Sequence, residues 1–410
     1  MPFNIGLSGL NAAQADLQTT GNNVSNSGTT GFKRSRAEFG DVFAQSFGGI
    51  SQTAIGSGTR LHAVTQQFSQ GRTEFTENGL DLAIQGEGFF VLNDQGTRAY
   101  TRAGAFQVSR DGFLENSQGQ QLQGYPPQDA NSSDPNFNTG QLEDIRLQTG
   151  AAPPRATTSV EALLNLRSDA EEPPVAPFDL GDPDTYNFST SLTVYDSLGT
   201  SRDASIYFVK GANELEWTAH VAVDGEAYDS FDLTFDGSGA LDTVLPDPAE
   251  VTVPAGTFGN GAEELVFEMD FAGTTQYGGD FAVNDLGQDG FASGRLTGVD
   301  IDDSGVVFAR FTNGQSTVLG QVAMANFTNP QGLEQLGDNN WAETFAAGEP
   351  VFAAPGTGNL GTIQAGALEA SNVDIAQELV KLITAQRNFQ ANAQTISTAD
   401  QVTQTIINIR

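Results

Sequence analysis

Gly356-Thr357-Gly358-Asn359-Leu360-Gly361 has the spacing of a loop that cradles a pyrophosphate. That chemistry needs a strand running into the loop and a helix starting inside it, so that backbone amides converge on the anion. Here Pro355 precedes the loop, no clear parallel strand feeds it, and the next helix begins near Ser371. The segment therefore reads as a flexible connection. Asp300-Ile301-Asp302-Asp303-Ser304-Gly305 has the opening of a calcium loop. Such a loop closes with a bidentate Glu at about the twelfth position, which here is Phe311, so an Asp-rich hairpin turn is the better reading. Asp302 and Asp303 have the residue types of an acid–base pair, but nothing sets them apart among 51 acidic residues. His62 and His220 fall in different predicted regions, and no Gly-x-Ser-x-Gly elbow is present. The absence of cysteine excludes thiol catalysis, disulfides and cysteine-held zinc. Trp217 and Trp341 read as core anchors. No catalytic, cofactor-binding or metal-ligating set is expected, and the chain is not read as an enzyme.

The composition narrows the partners. A chain of 410 residues makes two or three domains at roughly 150 residues each. It carries 51 Asp and Glu against 18 Lys and Arg, a net charge of −33. Phosphates must be neutralised by Lys and Arg, so nucleic acid is not expected as a partner. Docking to anionic lipid is disfavoured for the same reason. No apolar run is long enough for a spanning helix. Met1-Pro2-Phe3-Asn4-Ile5 has neither a basic stretch nor an apolar core, so no Sec-type signal is expected. The charge is unevenly placed: residues 1–40 sum to +1, residues 371–410 to zero, and the stretch between them to −34. Neutral ends can pack against copies of themselves, although short ends also balance by chance.

The elements fall into three kinds. Phe3, Leu10, Leu17 and Val24 recur every seven residues, with Leu7 and Ala13 beside them. This predicts a helix of about 22 residues with a narrow, coiled-coil-like stripe. Pro2 suits its first position, and Asn26-Ser27-Gly28 with Gly31 stops it. Ile375, Leu382, Phe389 and Ile396 repeat the pattern at the other end, with Leu379, Ala393 and Ile407 on a second seam. Ser371 is the expected cap, with Asp374 three residues on, and the helix runs to residue 410, about 38 residues. Such a pair forms either a simple two-helix stalk or a surface completed by neighbouring subunits; the sparse stripes favour the second. Between the helices the apolar period drops to two. Leu82-Ala83-Ile84, Phe89-Phe90-Val91-Leu92, Ser191 to Tyr195, Ala204 to Val209 and Phe231 to Phe235 read as strands, separated by Gly- and Asp-rich turns. The second group reads as a sandwich or barrel.

The predicted fold is mainly β with paired α-helical termini, nested β-domains on a coiled-coil-like terminal helix pair. The expected parts are a terminal helical domain (1–30 and 371–410), a linker region (31–70), a discontinuous inner β-domain (71–150 and 286–365) and an inserted outer β-domain (151–285). The polar run Gly21 to Lys33 suggests a shaped joint built on Asn22, Asn23, Asn26, Gly31 and Phe32, rather than an ordinary helix stop.

Particular residues carry a resemblance. Ser8-Gly9-Leu10-Asn11-Ala12-Ala13, Gly21-Asn22-Asn23-Val24-Ser25-Asn26 and Thr30-Gly31-Phe32-Lys33 are similar to the N-terminal signature of bacterial flagellar rod and hook axial proteins. Leu80 to Ile84, Gly86, Gly88, Phe89, Phe90 and Tyr100 to Phe106 resemble the family's first β-domain. Gly366 to Asp374, Glu378-Leu379-Val380, Ala385 to Ala393 and Ile406 to Arg410 resemble its C-terminus. The large insert favours the hook members over the rod members.

The resemblance implies a non-enzymatic subunit that polymerises into a curved, flexible tube, a universal joint passing torque from rod to filament. It implies export through the flagellar type III apparatus to the cell surface. The implied partners are further copies of the chain, the distal rod, the hook cap, the hook–filament junction protein, the export apparatus and the length-control protein. Phe3, Leu7, Leu10, Leu17, Val24, Ile375, Leu379, Leu382, Phe389, Ile396 and Ile407 are the expected subunit-interface residues. Two other classes make different demands. A surface adhesin would require a Sec signal and no matched helices; a secreted hydrolase would require a convergent polar site.

Overall fold

The computed structural model describes residues 2–42, 56–128, 136–147 and 150–408. Parts of three expected segments lie outside the described residues: 43–55 in the linker region, 129–135 and 148–149 in the first half of the inner β-domain, and the last two positions of the C-terminal helix. Two compact units emerge. The first comprises Met1–Thr149, Gly298–Ala309 and Ser316–Arg410, and the second Gly150–Thr297 and Arg310–Gln315.

The first unit contains both helices, α1 (Pro2–Ser25) and α2 (Ile375–Asn408). Its sheet runs, in spatial order, through Ser316–Val322, Gln121–Tyr125, Phe89–Asp94, Thr97–Thr101, Asn340–Ala342 and Glu334–Gly337. Residues far apart in the chain pair throughout: Leu82–Gln85 with Thr362–Ala365, and Thr73–Phe75 with Ala367–Glu369. These sheets are assembled from stretches of the chain nearly 300 residues apart. The core holds Phe89, Tyr100, Phe327 and Trp341 in edge-to-face contacts, and Phe68 closes it at 5.4 Å from Phe89. Trp341 satisfies its indole N–H on Gln66 Oε1 at 2.6 Å, which a buried indole requires.

The stretch 31–70 is more than a connection. Ser35–Asp41 and Thr59–Gln66 form an antiparallel hairpin with a bulge between Glu38 and Phe39. Thr59 donates its backbone N–H to Ser8 Oγ of α1 at 3.3 Å. Polar and charged residues alternate there with Phe39, Leu61 and Val64, which stay exposed, so the sequence carries no strong burial signal for strands.

The second unit is a sandwich. One sheet is a five-stranded meander, Phe188–Tyr195, Ser201–Lys210, Glu216–Val223, Glu226–Phe235 and Leu241–Leu245. In the other, Ser159–Arg167 pairs in parallel with Leu265–Asp270 and Thr275–Tyr277, and antiparallel with Ala282–Gln288. Period-two alternation sends Ala204, Ile206 and Phe208 inward, and Trp217, Ala219 and Val221 beside them. Each large side chain buried this way contributes about 1.5–3 kcal/mol. Trp217 is fully buried at the centre of that core. Trp217→Ala should therefore destabilise the second unit by about 3–5 kcal/mol, read as a lowered urea midpoint with hydrogen-exchange protection lost in Ser201–Lys210 and Glu216–Val223.

Candidate assembly surface and joint

α1 and α2 lie antiparallel. Gly6 faces Ile396, and Asn23, at the far end of α1, reaches Glu378. The face that α1 buries is made of small and polar side chains: Gly6, Ala13 and Thr20, every seven residues, with Asn23 closing the line. A Cβ on Gly6 would stand 2.9 Å from Ile396 Cγ1, and one on Gly9 would fall on the Asn392 amide. These two glycines let the backbones approach. α2 answers with Glu378 and Ala385 buried and Leu382, Phe389, Asn392, Ile396 and Ala399 half-buried, alternating three and four residues apart.

The expected interface residues divide accordingly. Leu10, Leu17, Val24, Leu382, Phe389 and Ile396 are half-buried along the seam between the helices. Phe3, Leu7, Ile375, Leu379 and Ile407 are exposed, from 43% at Leu7 to 66% at Ile407. Ile5, Val380, Ile383, Val402 and Ile406 are exposed with them and were not singled out by the seven-residue count. The tight face of α1 thus lies beside the Phe3–Leu10–Leu17–Val24 stripe rather than along it, because only small side chains permit so close an approach. Asp16 sits at this seam: burial pushes its carboxyl up, Lys381 opposes the rise, and Glu378 adds to it.

The cap of α2 also differs from expectation. Asp374 Oδ1 accepts from Gln377 N at 3.1 Å, which makes Asp374 the cap, while Ser371 Oγ accepts from Val373 N ahead of the helix. Residues 370–374 belong to neither strand nor helix, and Asn372 within them is held from both sides. Its Oδ1 accepts Arg34 N at 2.7 Å, and its Nδ2 donates to Gln67 O at 2.7 Å and Ser69 O at 3.0 Å.

The residues expected to form a joint each have defined surroundings. Asn26 donates its N–H and its Nδ2 to Asn22 O, closing α1. Asn23 pairs with the backbone of Ser35 in both directions, accepting at 2.9 Å and donating at 2.8 Å, and also donates to Glu378 Oε2. Gly31 has φ +70°, and a Cβ there would stand 2.5 Å from Ala103 N. Its N–H donates to Glu369 O at 2.7 Å, and Phe32 beyond it is buried.

A buried charge cluster anchors all of this. Lys33 Nζ lies 2.6 Å from Glu369 Oε1, and both side chains are 1% exposed. Arg102 reaches Glu369 Oε2 at 3.1 Å, and Gly71 N donates to Oε1 at 2.7 Å. Lys33 also donates to Ser69 O, and Arg102 to Gly86 O. Burial holds the Lys33 ammonium below its usual range, with Glu369 opposing the shift and Arg102 adding to it. A second buried carboxylate, Glu378, takes Lys381 Nζ at 2.6 Å and lies 3.8 Å from Arg34. Lys33, Arg102, Glu369 and Glu378 lie inside the motifs at the two ends and in the first β-domain, but residue type alone assigns them no role. The available signal was polar, charged residue types inside segments expected to be packed.

Removing one member of such a cluster strands the others. Glu369→Gln should destabilise the first unit by about 3–5 kcal/mol, seen as lost hydrogen-exchange protection in Phe89–Asp94 and Thr97–Thr101 with the second unit unchanged. Asp16 gives an independent check of sign. Its folded-state carboxyl is raised, so folding favours the protonated form; helix pairing is strongest below the ordinary value of 3.8 and weakens as pH rises through the folded value. Asp16→Asn should strengthen exchange protection around Ala385 at neutral pH and make no difference near pH 3.

Comparison with known proteins accounts for the whole chain. Residues 3–33 match the family "Flagella basal body rod protein" and residues 83–160 the "Flagellar hook protein FlgE/F/G D1 domain". Residues 165–291 match the "Flagellar basal body protein FlaE D2 domain" and residues 364–409 the "Flagellar basal body rod FlgEFG protein C-terminal". The flagellar hook proteins FlgE of Salmonella typhimurium and Escherichia coli are each 38% identical, over 100% of both chains. That of Borreliella burgdorferi is 31% identical over 99% of this chain and 98% of its own. The Helicobacter pylori flagellar hook protein FlgE2 shares the fold, with TM-score 0.55 at 15% identity, covering 72% of this chain and 100% of that one. Identity at this level over the full length, with flagellar matches at both helical ends and in both β-regions, has one consequence: the chain belongs to the flagellar hook protein FlgE family, as a structural subunit of the bacterial flagellar hook.

Proposed function

We propose that copies of this chain polymerise through the exposed apolar faces of α1 and α2 into a curved tube that works as a universal joint between rod and filament. The observation that carries this is an inversion. The helices approach most closely through Gly6, Gly9, Ala13, Thr20 and Asn23, keep Leu10, Leu17, Val24, Leu382, Phe389 and Ile396 only half-buried, and leave Phe3, Ile5, Leu7, Ile375, Leu379, Ile383, Val402, Ile406 and Ile407 exposed. A helix pair built for a monomer buries its large side chains first. Each is already about half covered, so burying the remainder against a neighbour contributes about 1 kcal/mol. The hairpin repeats the arrangement with Phe39, Leu61 and Val64.

In this reading the parts follow the expected division. Residues 1–30 and 371–410 form the inner wall, 31–70 connects it outward, 71–150 with 286–365 forms the inner β-domain, and 151–285 the outer one. Asn22, Asn23, Asn26, Gly31 and Phe32 hold wall and inner domain at a set angle. The role is structural rather than catalytic. The chain leaves the cell through the flagellar type III apparatus and meets the distal rod, the hook cap, the junction protein and the length-control protein.

The test is a set of exposed-face variants. Ile383→Ser combined with Ile406→Ser and Ile407→Ser should leave monomer stability within about 0.5 kcal/mol. The same chain should fail to sediment as tubes under conditions where the unaltered chain does. Unimpaired tube formation would reject the helix-wall reading.

A further inference from the structure

Asn-Gly occurs three times in the chain, at Asn78-Gly79, Asn260-Gly261 and Asn313-Gly314. In this pair the asparagine side chain can react with the next backbone nitrogen, because glycine has no side chain to crowd that nitrogen or restrict its rotation. The three sites start alike. Each side-chain carbonyl accepts the N–H two residues on: Leu80 at 3.2 Å, Ala262 at 3.0 Å and Gln315 at 3.1 Å. Such a turn folds the carbonyl back over the glycine nitrogen, and the donated N–H polarises it. The sites differ in what else is held. Asn313 Nδ2 donates to Ala292 O at 2.7 Å, a Cβ on Gly294 would stand 2.7 Å from its amide, and Gly314 N is spent on Phe311 O at 3.1 Å. Asn260 Nδ2 donates at 2.7 Å to Asp196, a wholly buried carboxylate paired with Arg202. At Asn78 the remaining side-chain bond stays within the same turn, Nδ2 to Asp81 Oδ1 at 3.0 Å. Asn78 and Gly79 are exposed, and the Gly79 N–H has no partner among the described residues.

We propose that Asn78 is a self-modifying position, converted to aspartate and isoaspartate by its own backbone with water as the only other reactant. The Gly79 nitrogen forms a bond to Asn78 Cγ, the Cγ–Nδ2 bond breaks, and ammonia departs with the amide proton. The cyclic imide left behind takes up one water. Opening at Cγ leaves aspartate; opening at the main-chain carbonyl leaves isoaspartate, whose backbone runs through Cβ and is one carbon longer. No oxidant or reductant takes part. The product sets a carboxylate where Asn78 Nδ2 now donates to Asp81, so a hydrogen bond becomes a repulsion. The change falls on a corner where the first unit closes: Asp81 O accepts Ala367 N at 3.2 Å, and Leu82 N donates to Gly104 O at 2.8 Å. The inference stands on the turn itself and is independent of assembly.

The experiment ages the full chain in mildly alkaline buffer, beside a second sample unfolded in urea. Digestion and mass spectrometry follow the conversion of amide to carboxylate at the three sites, and labelling by an isoaspartyl methyltransferase marks the longer backbone. In the folded chain Asn78 should convert while Asn260 and Asn313 lag behind; in urea the three rates should converge. Gly79→Ala should slow conversion at Asn78 severalfold by crowding the attacking nitrogen. The fold has room for it, since a Cβ there meets only Val299 O, at 3.7 Å. Asn78→Asp should lose exchange protection at Leu82 and Ala367, and full protection there overturns the effect on the corner. Conversion at Asn260 or Asn313 as fast as at Asn78 in the folded chain, or a rate at Asn78 unmoved by Gly79→Ala, overturns the proposal itself. Should the alanine variant not fold, the comparison of folded and urea-treated chains decides alone.

Discussion

The first unit is organised around one carboxylate removed from water. A buried anion is tolerated only when its lone pairs are filled and its charge is matched. Glu369 meets both demands with Lys33, Arg102 and the Gly71 amide. The donors come from segments about 300 residues distant in sequence, so satisfying the charge forces the exit of α1, the chain after the hairpin and the approach to α2 into one place. Gly31 can make its turn against Ala103 because it lacks a Cβ, and its N–H is then spent on the Glu369 carbonyl. An apolar plug of similar volume would hold these segments together but would not fix their angles, since hydrophobic contact has no direction.

The helices show the complementary economy of size. Small residues on α1 allow a close approach to α2, and the charges at their joined ends, Glu378 with Lys381 and Arg34, are anchored to the β-sheet side through Asn23 and Ser35. The large aliphatic residues left outside mean that the pair taken alone buries little apolar area. α2 has 34 residues against 24 in α1, and its residues 400–408 are all exposed. The helix pair thus presents exposed apolar side chains and few charges: Asp16 on α1, and Glu378, Asp400, Lys381 and Arg387 on α2. The second unit is the reverse, a self-sufficient sandwich with a full core and a strongly acidic surface.

Much of this was legible beforehand. The seven-residue apolar repeats located both helices, and period-two alternation with Gly and Asp turns located the sandwich strands. The setting of Asp302 agrees with the hairpin-turn reading: its carboxylate accepts from Ser304 N and Val306 N at 2.9 Å. Gly356 to Gly361 lies between the strands Val351–Ala353 and Thr362–Ala365 with no helix following, as the loop reading required. Three features escaped. The hairpin in 31–70 has its apolar residues outside, so burial gave no pattern to read. The cap moved from Ser371 to Asp374 because Asn372 is claimed by strands far away. The tight helix face was missed because a count of large residues cannot see a seam made of glycine and alanine.

The amino-acid sequence alone determined the periodicities, the charge division between neutral ends and acidic middle, and the family signature at both termini. Those are properties of residue order and composition, and short-range geometry turns them into helices, strands and turns. Which residues of each helix face inward, why Lys33 and Arg102 are buried at all, and where α2 begins were decided by tertiary structure. Each depends on partners distant in the chain, such as Glu369 for Lys33 and Gln67 for Asn372, and no local pattern encodes a contact whose two halves become neighbours only on folding.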